Sequence, residues 1–126
     1  MRLTKEYSQM AQVISPEIDK TAPEMLEGRR LERLGDMKIA ADQANQNKAY
    51  LALEWHGPFD ALRLASSIEY RAQIRSMLQG LARRNEWKPE KEVTDAECYA
   101  EQLLAGIQHY EEILEEIREA ERGGQR

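Results

Sequence analysis

The stretch TDAECYAEQLLAGIQHYEEILEEIREAERGG, residues 94–124, decides the fold. Within it Ala96, Ala100, Leu103, Ile107, Tyr110, Leu114 and Ile117 recur at alternating spacings of four and three, the period of one face of an α-helix. Its start is written as Thr94-Asp95-Ala96-Glu97, a capping box. There the threonine hydroxyl accepts from a free first-turn N–H, and the glutamate reaches back to the threonine N–H. Gly123-Gly124 is expected to end the helix, which leaves residues 1–122 as a single all-α domain and 123–126 as a flexible tail. Leu104 and Ile113 flank the seam, so the apolar face is wider than a coiled-coil stripe and needs cover from other helices.

Working back from residue 94, Trp87-Lys88-Pro89 reads as a turn. Before it lies a helix running from Phe59 and Asp60 to about Asn85, with Leu64, Ile68, Tyr70, Ile74, Met77, Leu78 and Leu81 on its apolar side. The short connection makes the last two helices an expected antiparallel hairpin. His56-Gly57-Pro58 closes the preceding helix, since glycine suits a left-handed cap and proline cannot continue the helix. That helix starts at a second capping box, Thr21-Ala22-Pro23-Glu24, and carries Leu34, Met37, Ala41, Ala44, Leu51 and Trp55, with Lys48 in one slot of the stripe. Unbroken from Pro23 to Trp55 it would span roughly 50 Å at 1.5 Å per residue. Gly28, Gly35 and Asn45-Gln46-Asn47 weaken it, so a break at Gly35 or near Asn45 is the alternative. Leu3, Tyr7, Met10 and Ile14 predict a short first helix that Ser15-Pro16 interrupts. The expected architecture is a small bundle of four main helices, or five if one is divided.

Composition agrees, because a 126-residue chain with one Phe, two Trp and four Pro is rich in helix formers and short of strand formers. The single Cys98 permits no internal disulfide, and no run approaches the length of a membrane span, so a cytoplasmic, unprocessed protein is expected. Charge is unevenly spread. Lys plus Arg against Asp plus Glu stand at 8 and 10 over residues 1–60, 7 and 3 over 61–91, and 3 and 10 over 92–126.

The acidic last helix is the first candidate site. Glu111, Glu112, Glu115, Glu116, Glu119 and Glu121 place like charges one turn apart, near a helix C-terminus where the dipole disfavours them. A basic partner would relieve this, but so would Arg63, Arg71, Arg75, Arg83 and Arg84 of the neighbouring helix, and the second reading is the plainer one. Arg71 and Arg75, with Arg83-Arg84 two turns further on, are also the candidate nucleic-acid stripe, although no helix-turn-helix pattern accompanies them and direct binding is disfavoured. A metal-dependent nucleotide hydrolase would need carboxylates converging from two helices on Mg²⁺, and the helix from Pro23 is read as offering no second set. His56 and His109 stand in no catalytic or metal-binding spacing, and no nucleophile motif or cofactor pattern is present.

Trp55 and Trp87 each sit beside a turn, where they are expected to close the ends of the core, the alternative being that they anchor a partner. The reading is therefore a non-enzymatic adaptor, inhibitor or assembly factor that presents helix faces to a protein partner, with Glu111, Glu112, Glu115, Glu116, Glu119, Arg71, Arg75, Trp55 and Trp87 as candidate contacts. The alternative is a nucleic-acid role, by the arginines or by acidic mimicry of DNA. Neither a metal nor a cofactor is expected. A homodimer through Leu103, Ile107, Tyr110, Leu114 and Ile117 is also expected, because two-fold pairing would cover so wide a face.

Overall fold

The computed structural model describes residues 22–55 and 57–124. The helix expected over Leu3–Ile14, the Thr21 half of the first capping box and His56 lie outside the described residues. Four α-helices follow in order: α1 (Pro23–Gln46), α2 (Ala61–Ser66), α3 (Ile68–Asn85) and α4 (Asp95–Gly124). 3-10 turns occupy Ala49–Leu53 and Glu90–Glu92, and there is no strand among the described residues.

α1 begins with Ala22 in extended geometry as its N-cap and Pro23 in the first turn, where the missing N–H costs nothing. It does not run on to Trp55. Asn45 explains the stop, because its side chain accepts from the Phe59 N–H at 2.7 Å and donates to the Phe59 carbonyl at 3.0 Å. An amide side chain locked onto backbone fourteen residues ahead draws the chain back toward α1. Asn47 then bonds the Gln43 carbonyl through both its N–H (3.1 Å) and its side chain (2.8 Å), satisfying a helix end. Lys48 (φ 53°) and Glu54 (φ 56°) adopt left-handed geometry and bracket the 3-10 turn. Each costs about 1 kcal/mol or more. The turn buries Ala49 completely and sets Tyr50 edge-on to Phe59, with ring centroids 6.3 Å apart. Leu51, expected on the core stripe, is exposed as a result.

The helix expected from Phe59 to Asn85 is divided in two at Ser67. Ser67 caps α3 by accepting from the Tyr70 N–H at 3.0 Å, and Asp60 caps α2 by accepting from the Arg63 N–H at 3.1 Å. The Tyr70 hydroxyl accepts from the Asp60 N–H at 2.9 Å, so the start of α2 is tied to the first turn of α3. Ile68 turns outward at the break and leaves the apolar face on which it was expected.

α4 packs against both α1 and α3 and against the 49–53 turn. Leu103, Leu104, Ile107, Tyr110 and Ile113 are all buried, and Leu114 and Ile117 pack partly against the same core. Each fully buried aliphatic side chain contributes about 1.5–3 kcal/mol. Of the residues expected at a dimer seam, Leu103, Ile107 and Tyr110 are thus buried inside one chain while Leu114 and Ile117 stay half-buried, with Met37, Ala41 and Ala44 of α1 and Ile74, Leu78 and Leu81 of α3 in the same cluster. At Gly106 the two helices approach closely: a Cβ built there would lie 3.3 Å from the Met37 Cα and 3.6 Å from the Ala40 Cβ. The final glycine pair lies within α4 rather than closing it, two residues past the expected boundary.

Gly28 and Gly35 contrast with Gly106, since nothing lies within 4 Å of a Cβ built at either. Gly106→Leu is expected to lower the unfolding free energy by about 1–3 kcal/mol in urea denaturation, through overpacking against Met37. Gly35→Ala is expected to raise it by about 0.5–1 kcal/mol, through helix propensity alone.

Candidate functional site

Arg71 is a buried charge, 4% exposed, with hydrogen-bond partners for its Nε and Nη1. Its guanidinium donates to the Leu64 carbonyl at 2.8 Å and the Ala65 carbonyl at 3.4 Å, which closes the C-terminal end of α2. It also donates to Glu111 at 3.2 Å and lies 5.4 Å from the centre of the Tyr110 ring. Arg75 donates to the other Glu111 oxygen at 2.6 Å. One carboxylate of α4 thus holds two arginines of α3, and one of those holds α2.

The rest of the acidic run is divided between inward and outward positions. Glu116 pairs with Arg29 of α1 at 2.9 Å, a partner that sequence spacing did not indicate. Glu115 pairs with Arg118 and Arg122 at 3.2 and 3.3 Å, in exposed contacts that are each worth about 0–1 kcal/mol. Among the described residues Glu112, Glu119 and Glu121 form no ion pair. Nor do Arg83 and Arg84, which were expected to neutralise α4. Arg63 instead lies over the Tyr70 ring at 4.3 Å, because it belongs to α2. Arg75, Gln79, Gln108, Glu111, Glu112 and Glu115 line a shallow polar depression between α3 and α4.

Glu24 and Glu27 of α1 are spaced as a Glu-x-x-Glu pair, which corrects the expectation that this helix carries none. Arg30 binds Glu27 at 2.7 Å and holds its carboxyl below the usual carboxylate range, and the same pair raises Arg30 further. Among the described residues no group of three or more His, Cys, Asp or Glu side chains could hold a metal ion. His109 and Cys98 are exposed. No helix among the described residues is long and apolar enough to cross a membrane.

The two tryptophans differ. Trp55 packs partly against the core, as expected of an end cap. Trp87 does not, and with 87% of its surface exposed it corrects the expectation that it closes the bundle. The turn that carries it is braced on both sides. Asn85, buried, donates to Glu101 at 3.2 Å, while its Oδ1 has no hydrogen-bond partner among the described residues. Trp87 and Lys88 donate backbone N–H groups to Arg84 and Asn85. Lys88 then donates to Glu97 at 2.8 Å, and the other Glu97 oxygen accepts from the Thr94 N–H at 3.0 Å, which completes the capping box. The Lys88 ammonium, followed by the Thr94 N–H, holds the Glu97 carboxyl below its ordinary value of 4.5. The sequence marked the capping box but not the lysine, because nothing in spacing tells which loop cation folds back onto it.

Comparison with known proteins finds no matching family model, no matching curated protein and no matching solved structure.

Two outcomes follow from this electrostatic arrangement. Arg71→Met, read by urea denaturation, is expected to cost on the order of 2–3 kcal/mol, since it leaves two carbonyls without their donor. Arg75→Met is expected to cost less than about 1 kcal/mol, because its partly exposed pairing is replaced by water. The depressed Glu97 carboxyl contributes stability that is present above pH 4.5 and lost as pH falls through its folded-state value. Acid titrations followed by circular dichroism are therefore expected to show a flatter acid limb for Glu97→Gln than for the parent chain.

Proposed function

We propose that this chain is a non-enzymatic interaction protein, an adaptor, inhibitor or assembly factor that offers preformed surfaces to a macromolecular partner. The observation that carries the reading is Trp87, which is 87% exposed on a turn held by the Lys88–Glu97–Thr94 bonds. A buried tryptophan removes roughly 150–250 Å² from water, and tryptophan is enriched among residues that dominate binding energy. A braced turn loses little conformational freedom when it binds, so more of that burial is realised as affinity.

An antiparallel hairpin of α3 and α4 belongs to the same reading. It is supported by two pairings: Asn85 with Glu101 beside the turn, and Arg71 with Glu111 further from it. A protein partner is favoured over nucleic acid because Arg71 and Arg75 already share Glu111, which leaves Arg83 and Arg84 of the expected stripe for phosphate. A cytoplasmic setting accords with the lone exposed cysteine.

Crosslinking the full chain in its native host, with quantitative mass spectrometry of captured proteins, tests the proposal. A specific partner is expected whose recovery falls about tenfold or more for Trp87→Ala, with helicity by circular dichroism unchanged. Equal recovery of every specific partner by Trp87→Ala would remove Trp87 from the interface.

A further inference from the structure

We propose that the outward face of α1 is a docking surface for a basic amphipathic helix of a protein partner; this rests on the interaction reading above and supplies the partner's chemistry. Leu31 and Ile39 are 54% and 58% exposed, and Met25 is exposed beside them. Gly28, Leu31, Gly35 and Ile39 follow one another at spacings of three, four and four, which sets them along one face of the helix. Nothing lies within 4 Å of a Cβ built at Gly28 or Gly35, so the backbone between the two aliphatic side chains is open to approach. That face combines two projecting side chains with bare backbone between them, a relief into which the ridge of another helix packs.

Charge decides which helix. The exposed charged residues of α1 are Glu24, Glu27, Glu32, Asp36 and Asp42, all acidic. Its four basic residues, Arg29, Arg30, Arg33 and Lys38, are half-buried. Arg29 is turned to Glu116 of α4, and Arg30 is engaged by Glu27. Among the described residues the other four exposed carboxylates have no ion pair. A second copy offering the same face would bring carboxylates against carboxylates, whereas lysines or arginines flanking an apolar stripe would meet Glu32 and Asp36 along one rim and Glu24 and Asp42 at its two ends. The occupant is therefore a cationic helix with leucine-like anchors, recognised by its apolar ridge and steered by its charge.

The test titrates the full chain with a synthetic amphipathic helix of leucine and lysine and, separately, with the same peptide carrying glutamate for lysine. Isothermal calorimetry is expected to show binding of the lysine peptide that weakens as salt rises, and none of the glutamate peptide. The double variant Leu31→Ala, Ile39→Ala is expected to weaken binding about tenfold or more, with an unchanged melting profile since both side chains are exposed. Glu32→Gln, Asp36→Asn and Asp42→Asn together are expected to flatten the salt dependence. Trp87→Ala is expected to leave peptide binding unchanged, so loss of host partners on that substitution alone would uphold the interaction reading while saying nothing for α1. Absence of lysine-peptide binding, equal binding of both peptides, or binding indifferent to the Leu31 and Ile39 substitutions would each overturn the proposal. So would a dimer in sedimentation equilibrium that those two substitutions disperse, because the occupant would then be a second copy.

Discussion

Gly106 lets the backbone of α4 come within van der Waals distance of Met37 and Ala40, and the positions of the other elements depend on that approach. A methyl group there would already press on the Met37 backbone, and a larger side chain would push α4 away from the α1 surface that includes Met37, Ala41 and Ala44. A helix drawn so close on one side can still cover α3 on another, because Leu104 and Ile113 widen its apolar face. Width of that kind serves a self-association surface equally well in principle. In this chain the two neighbouring helices occupy it.

Once α4 is seated, charge pairing sets how the remaining helices attach. Glu111 engages Arg71 and Arg75 on α3, and Arg71 carries the connection on to the carbonyl end of α2. Glu116 performs the same service toward α1 through Arg29. Pairs of carboxylates one turn apart near a helix C-terminus are unfavourable in isolation. Here Glu111 and Glu116 are relieved by groups from two other helices, while Glu112 and Glu119 face outward. Two of the six glutamates in the run thus tie helices together, and the other four are exposed.

The surfaces left over are those on which the functional proposals stand. A tryptophan held out on a braced turn and an acidic, glycine-notched face of α1 are both left uncovered by the packing of the described residues. Both are rigidly presented, since the turn is stapled by Lys88 and α1 is fixed along α4. Preformed surfaces of this kind suit recognition, where ordering before contact reduces the entropy lost on binding.

The sequence by itself determined the helical class, the start of α4 at its capping box and the apolar seam from Ala100 to Ile117. Each of these depends on residues within a few positions of one another, so local periodicity and capping chemistry suffice. Sequence weakness near Asn45 made a break there one alternative beside a break at Gly35 or an unbroken helix, and only the tertiary structure chose among them, because Asn45 binds Phe59. The same holds for the division at Ser67, which the Tyr70 hydroxyl and the Arg71 guanidinium make tolerable from the far side of the break. Which glutamates are paired, and that Trp87 is exposed while Trp55 packs on the core, were likewise beyond the sequence. Spacing places a residue on a helix face, but whether that face meets a partner of the right charge depends on how helices distant in sequence come together in space.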